Sequence, residues 1–157
     1  MYSHAPQDYT CPFCVLVAGE DDVGLWTKQE EIVLRTDTVM AWVTPKWWPE
    51  NKGHVIVIPR AHIENMYTLP PDLAADIHEA AKRVALAMKA VYGCDGISTR
   101  QHNEPDGSQE VWHYHLHVFP RYAGDELYAR HYEMYFPELA ERIGYAAKLR
   151  AYLEREQ

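Results

Sequence analysis

Apolar residues arrive along this chain in two rhythms. Between Ile32 and Pro59 they come as short runs rich in β-branched residues: Ile32–Leu34, Val39–Thr44 and His54–Pro59. Such runs, bounded by turn formers, predict strands. Thr36-Asp37 reads as the turn between the first two, and Pro45 to Gly53, with two prolines and a glycine, as the loop before the third. From Pro71 the spacing changes. Leu73, Ile77, Ala80, Val84, Met88 and Val91 recur at three- and four-residue intervals, which predicts a helix over 71–92, opened by Pro70-Pro71 and stopped by Gly93. Leu139, Ile143, Ala146, Leu149 and Leu153 predict a second helix over 138–154, after Pro137. Between the helices, Ile97–Asn103 is a weaker strand, Glu104-Pro-Asp-Gly107 a turn, and Val111–Phe119 the returning arm of a hairpin. Residues 1–10 read as a flexible tail ahead of one domain over 11–157. Antiparallel strands flanked by two helices make an α+β fold.

The returning arm carries chemistry. Its centre is His113-Tyr-His-Leu-His117, and alternate strand residues point to opposite faces. The three imidazoles therefore share one face, while Trp112, Tyr114, Leu116 and Val118 share an apolar face suited to a core. On a straight strand, positions i and i+4 lie roughly 13 Å apart at about 3.3 Å per residue. A zinc ion holds each nitrogen at about 2.0–2.1 Å. One ion can thus take two neighbouring histidines at most, and more comfortably one. At least one imidazole is left for another task.

The cysteines supply the rest of a metal set. There are three, with Cys11-Pro-Phe-Cys14 placing two thiols close enough for one tetrahedral ion. That pair needs two more ligands, and His62, just past the Pro-Arg-Ala turn, and His113 are the candidates. On spacing alone the pair serves equally well as a redox dithiol. The segment before Cys11 is too short and polar to be the strand that normally precedes such a motif. Two ordinary reduced cysteines are the third reading. Cys94 reads as a small buried hydrophobe.

Composition narrows the setting. The chain has 157 residues, 47% hydrophobic and 24% charged, as in a soluble single domain. A net charge of −8 argues against a broad nucleic-acid surface while leaving room for a small anionic ligand. No stretch approaches the roughly 20 apolar residues of a membrane span. The first ten residues have neither the basic start nor the apolar core of a signal peptide. A cytoplasmic protein is the expectation.

His113-Tyr-His-Leu-His-Val-Phe119 resembles the defining motif of the histidine triad (HIT) superfamily of nucleotide hydrolases and transferases. Cys11-Pro-Phe-Cys14, Gly53-His-Val-Ile-Val-Ile-Pro-Arg-Ala-His62, Asn103, Gly107, Gln109 and Pro120-Arg121 follow the family's order and approximate spacing. The third histidine is similar to that of the hydrolase branches. The galactose-phosphate transferase branch has glutamine there. The resemblance implies a HIT-like fold and a homodimer formed through the long helix and an extended sheet. It implies that His115 attacks the α-phosphorus of a nucleotide and transiently carries the nucleotidyl group. His117 would steady the developing charge, and Asn103, Gln109 and His54 would bind phosphate or ribose. It implies a structural zinc on Cys11, Cys14, His62 and His113. The substrate class implied is a nucleoside phosphoramidate or a dinucleoside polyphosphate. A non-catalytic nucleotide sensor on the same fold, or a zinc hydrolase using strand histidines as catalytic ligands, are the alternatives.

Three departures stand out. Val43 and Thr44 occupy the region where relatives carry a ribose-binding Asp or Asn. The loop with Trp47 and Trp48 looks about three residues longer than the family's usual one, and either ring could stack on a base or cover a core edge. Glu110 stands where many members have a Ser or Thr that assists the leaving group.

Overall fold

In the computed structural model, which describes residues 2–21 and 26–156, the β-branched runs pair into one sheet. Its strands are β1 (Ile32–Arg35), β2 (Val39–Val43), β3 (Val55–Pro59), β4 (Gly96–Gln101) and β5 (Leu116–Arg121). They stand in the order β1-β2-β3-β5-β4, and all four pairings are antiparallel. Every residue of β2 and β3 is buried, because both faces of the sheet are covered there. That explains why these runs are continuously apolar instead of alternating. On one face, Ala41, Val43, Val55, Val57, Leu116 and Val118 pack against α2 (Pro71–Tyr92) and α3 (Leu139–Arg155) through Ile77, Val84, Met88, Leu149 and Leu153. On the other, Met40, Trp42, Ile56 and Ile58 meet Phe13 and Leu16 of α1 (Pro12–Val17).

The α+β expectation holds, and α2 occupies the span its periodicity predicts. Gly93 closes α2 in the left-handed conformation at φ +66°, which glycine adopts without a Cβ penalty. α1 was not foreseen, since six residues are too few to show a helical period. Tyr2, Ser3, His4 and Tyr9 contact the domain. Ser3 Oγ and the His4 amide donate to Glu64, and the His4 ring stacks on Trp112.

The histidine strand is shorter than expected. Pairing starts at Leu116, opposite Val57 on β3 and Gln101 on β4, and residues 111–115 lead in outside the ladder. Pro59 ends β3 and has no amide hydrogen to continue the pairing. Its carbonyl instead receives the His113 ring, and the Tyr114 amide donates to Ile63 O at 2.6 Å. Tyr114, Leu116 and Val118 still face the helices as predicted. Trp112 does not: it is half-buried against His4, outside the core.

The tryptophan loop is pinned at both ends. Trp47 exchanges backbone hydrogen bonds with Tyr135 at 2.9 Å each way, and its buried ring meets Tyr145. Asn51 donates to Asp125 Oδ2 at 2.7 Å and to Pro120 O at 2.8 Å. Arg121 grips the same carboxylate through two 2.7 Å bonds, and this pairing holds Asp125 well below the usual carboxylate range. No helix among the described residues is long and apolar enough to cross a membrane.

A buried ion pair ties α3 to the start of β1. Arg142 Nη1 lies 2.8 Å from Glu31 Oε1, with side-chain exposures of 7% and 0%. Burial outweighs the arginine and pushes the Glu31 carboxyl up to about 7. Arg142→Met is expected to destabilise the fold by about 3–5 kcal/mol, because it strands a buried carboxylate. A folded-state value raised above the unfolded one gives stability that is complete below the unfolded value and is lost as pH rises through about 7. The loss in this variant is therefore larger at pH 8 than at pH 5, as urea titrations at the two pH values can check.

Candidate active site and metal centre

The face of the sheet that α1 leaves uncovered opens into a cavity of about 520 Å³. Cross-strand register sets a row along its floor. Trp42 on β2 sits opposite Ile56 on β3, Ile56 opposite His117 on β5, and His117 opposite Arg100 on β4. All four side chains line the cavity. The row thus grades from aromatic and aliphatic, through imidazole, to a cation.

His115, also in the cavity wall, is 6% exposed. Its Nδ1 lies 2.8 Å from the carbonyl oxygen of His113. A carbonyl only accepts, so Nδ1 carries the hydrogen and the Nε2 lone pair remains available. Burial lowers the His115 pKa, which keeps the ring neutral and nucleophilic near pH 7. The ring abuts Phe13 edge-on at 5.6 Å between centroids. His117 follows on β5, its ring 5.1 Å from that of His115. Burial first, then His115 and His54, push its pKa well below the ordinary value.

His54 supports His117 from behind. Its Nε2 lies 3.4 Å from His117 Nδ1, and its ring stacks on Phe119 at 4.4 Å. Thr44 Oγ1 donates to Lys46 O at 3.1 Å, and so it accepts an N–H from His54, whose ring nitrogens lie 3.0 and 3.1 Å away. Burial holds His54 neutral, with a pKa lowered to about 3. The Val43-Thr44 departure thus places a hydroxyl, already bonded to His54, in the cavity wall.

The second cluster lies one residue pair upstream. Donor atoms of Cys11, Cys14, His62 and His113 all fall within 4.8 Å of one another. His113 Nδ1 is 3.3 Å from Cys11 Sγ and 3.7 Å from Cys14 Sγ, and His62 Nδ1 is 3.4 Å from Cys14 Sγ. A tetrahedron with Zn–N of about 2.05 Å and Zn–S of about 2.3 Å has edges of about 3.3–3.8 Å, so these spacings fit. The tautomer fits as well. His113 Nε2 donates to Pro59 O at 2.9 Å, leaving the Nδ1 lone pair directed at the sulfurs. Burial and the adjoining Cys11 sulfur raise the Cys14 thiol to about 12, a penalty on the thiolate that a cation between the sulfurs would remove. The sequence had placed these four residues together, and they do converge.

Asn103 and Gln109 are placed differently. The Asn103 amide bonds Gln101 on both sides and accepts from the Met66 amide. The buried Gln109 amide accepts from Glu104 N and donates to Glu64 O and Val111 O. Both side chains brace the 103–110 turn, and neither lines the cavity. Glu110 lies at the cavity mouth with its side chain 79% exposed, 3.6 Å from Lys46. Trp47 covers a core edge, whereas Trp48 faces the cavity. His102 and His131 also line it, as does Arg100.

Comparison with known proteins agrees with this geometry. The HIT domain model matches residues 27–124. The protein hit of Bacillus subtilis is 32% identical over 137 residues, covering 85% of this chain and 88% of its own length. An adenosine 5'-monophosphoramidase of Saccharomyces cerevisiae is 27% identical over 121 residues, covering 77% of this chain and 68% of its own. Among solved structures, a zinc-bound histidine triad family protein from Mycobacterium smegmatis superposes with a TM-score of 0.76 at 26% identity, over 94% of this chain and 95% of that one. With its HIT-like fold, His115 and His117 in the cavity and its Cys2His2 cluster beside them, the chain belongs to the HIT domain family.

Proposed function

We propose that the protein is a nucleotide hydrolase that works through a nucleotidyl group carried on His115. The observation that carries this reading is the tautomer of His115. Its Nδ1–H is committed to the His113 carbonyl, so Nε2 faces the cavity as a neutral nucleophile. In the reaction, Nε2 bonds to the α-phosphorus as the bond to the leaving group breaks, and the leaving group takes that electron pair. The ring becomes an imidazolium, and the His113 carbonyl at Nδ1 stabilises its charge. Water then bonds to phosphorus and gives up a proton to solvent, the P–N bond breaks, and the pair returns to Nε2. His117, held by His54 and Phe119, would donate to a phosphate oxygen throughout. The aromatic end of the row, with Trp42 and Phe13, suits the nucleoside. Asn103 and Gln109 would contribute by fixing the turn that borders the site. The yeast relative named for phosphoramidate hydrolysis supports the reaction class.

Cys11, Cys14, His62 and His113 would hold zinc, whose contribution is a cross-link between α1, the turn after β3 and the histidine segment. The site has four protein donors and offers no open position to a reactant. The expected homodimer has β4, an edge strand, and α2, where Leu86 is 53% exposed, to build on. The test of the reading is chemical trapping. Brief incubation with an adenosine phosphoramidate or a diadenosine triphosphate, a basic quench and peptide mass spectrometry are expected to find the nucleotidyl group on His115. Turnover with no adduct there would overturn the mechanism, and binding without turnover would favour the sensor.

A further inference from the structure

Arg100 is a cation in the cavity with no carboxylate to answer it. Arg121, Arg130 and Arg142 each meet an acidic side chain, at 2.7, 2.6 and 2.8 Å. Among the described residues Arg100 has no such pair, although it is half-buried and burial disfavours its charge. Its guanidinium lies against two aromatic rings that meet edge-on, 5.0 Å from the Phe119 centroid and 5.4 Å from that of Trp48. Its Nε is buried and finds no hydrogen-bond acceptor, and the same is true of the Trp48 indole Nε1. Trp48 is itself 7% exposed and lines the cavity. Two buried donors without acceptors, one on a fixed cation, describe a place prepared for the oxygens of an anion. The carboxylate of Glu110 in the same cavity points to solvent and to Lys46 instead.

The position of this pair decides what the anion is. Arg100 stands directly across from His117, one strand spacing of about 4.8 Å away, on the side opposite Ile56 and Trp42. With the nucleoside over Trp42 and the α-phosphate at the histidines, the guanidinium falls under the leaving group. We infer that Arg100, with Trp48, is the specificity determinant for the leaving group, and that it selects nucleotidyl anhydrides, whose leaving group is a phosphate, over phosphoramidates, whose leaving group is an amine. This rests on the reading of His115 as the nucleophile. As His115 Nε2 bonds to the α-phosphorus, the bond from phosphorus to the bridging oxygen breaks and its electron pair stays on that oxygen. Arg100 stabilises the charge that grows there. A phosphate departs without a proton, whereas an amine must acquire one, so this site needs no hydroxyl donor at position 110.

The experiment compares kcat/KM for diadenosine triphosphate and for an adenosine phosphoramidate in the wild type, R100Q and R100K. For R100Q the anhydride reaction is expected to fall about 100-fold, the scale of one lost charge-assisted contact in a transition state. The phosphoramidate reaction is expected to fall at least tenfold less, and it also reports that the variant is folded. R100K, a point charge without the planar fork, is expected to recover only part of the anhydride rate. Equal losses on both substrates, or no loss on the anhydride, overturn the inference while the His115 adduct still forms. A wild type that turns over neither substrate overturns both the inference and the reading beneath it.

Discussion

His115→Asn is expected to lower turnover of every nucleotide substrate by about 10,000-fold or more, while substrate affinity changes by no more than about threefold. The size follows from what is removed. A covalent route through a neutral imidazole, oriented beside His117, disappears. His54 is bound to Thr44, and burial keeps its ring behind His117. A loss of 10,000-fold corresponds to about 5.5 kcal/mol of transition-state stabilisation. The asparagine amide can still donate to the His113 carbonyl, as Nδ1 does at 2.8 Å, so the local backbone and the cavity wall survive. Nucleotide binding, read by calorimetry, therefore separates lost chemistry from lost structure. His117→Ala, which removes one donor and leaves the nucleophile, is expected to lose about 100- to 1,000-fold. A His115→Asn protein retaining more than a few per cent of wild-type turnover would sink the covalent mechanism.

How far these roles were legible depended on what each residue needed. The strands around Val39–Val43 and Val55–Pro59 announced themselves because both faces are buried, and nothing but an apolar run satisfies that. The metal set was legible because ligand chemistry restricts it to a few residue types, and a proline turn brings His62 back toward Cys14. The extent of the histidine strand was not legible. It depends on where Pro59 ends β3 across the sheet, which is a tertiary fact. Arg100 was hidden for a related reason. β4 and β5 are joined by residues 102–115, with no tight turn to set their register, so the sequence could not place Arg100 opposite His117. Asn103 and Gln109 showed the right residue types for phosphate binding, but which partners their amides take is decided by backbone groups of residues far along the chain, Glu64 and Met66.

Stripping the cation with a strong chelator is expected to lower the melting temperature by at least about 10 °C, and to do so before it inhibits turnover directly. Structural zinc contributes on the order of 10 kcal/mol, against a total of about 5–15 kcal/mol for a typical domain. The four donors join α1, the segment after β3 and the lead-in to β5. At 2–4 °C per kcal/mol for a domain of this size, even half of that contribution gives a shift of 10 °C or more. The core between the sheet and the helices α2 and α3 has no part in the cluster and is expected to persist without metal. So, below the lowered transition, is the orientation of His115. The His113 ring is still held by Pro59 O, and Tyr114 N by Ile63 O, so the carbonyl that fixes the nucleophile stays in place. Cys14→Ser is expected to reproduce the thermal shift without chelator. Well under one zinc per chain in protein prepared without chelator would contradict the assignment. Immediate inhibition at an unchanged melting temperature would contradict it in a second way, since it would move the metal from the scaffold into the reaction.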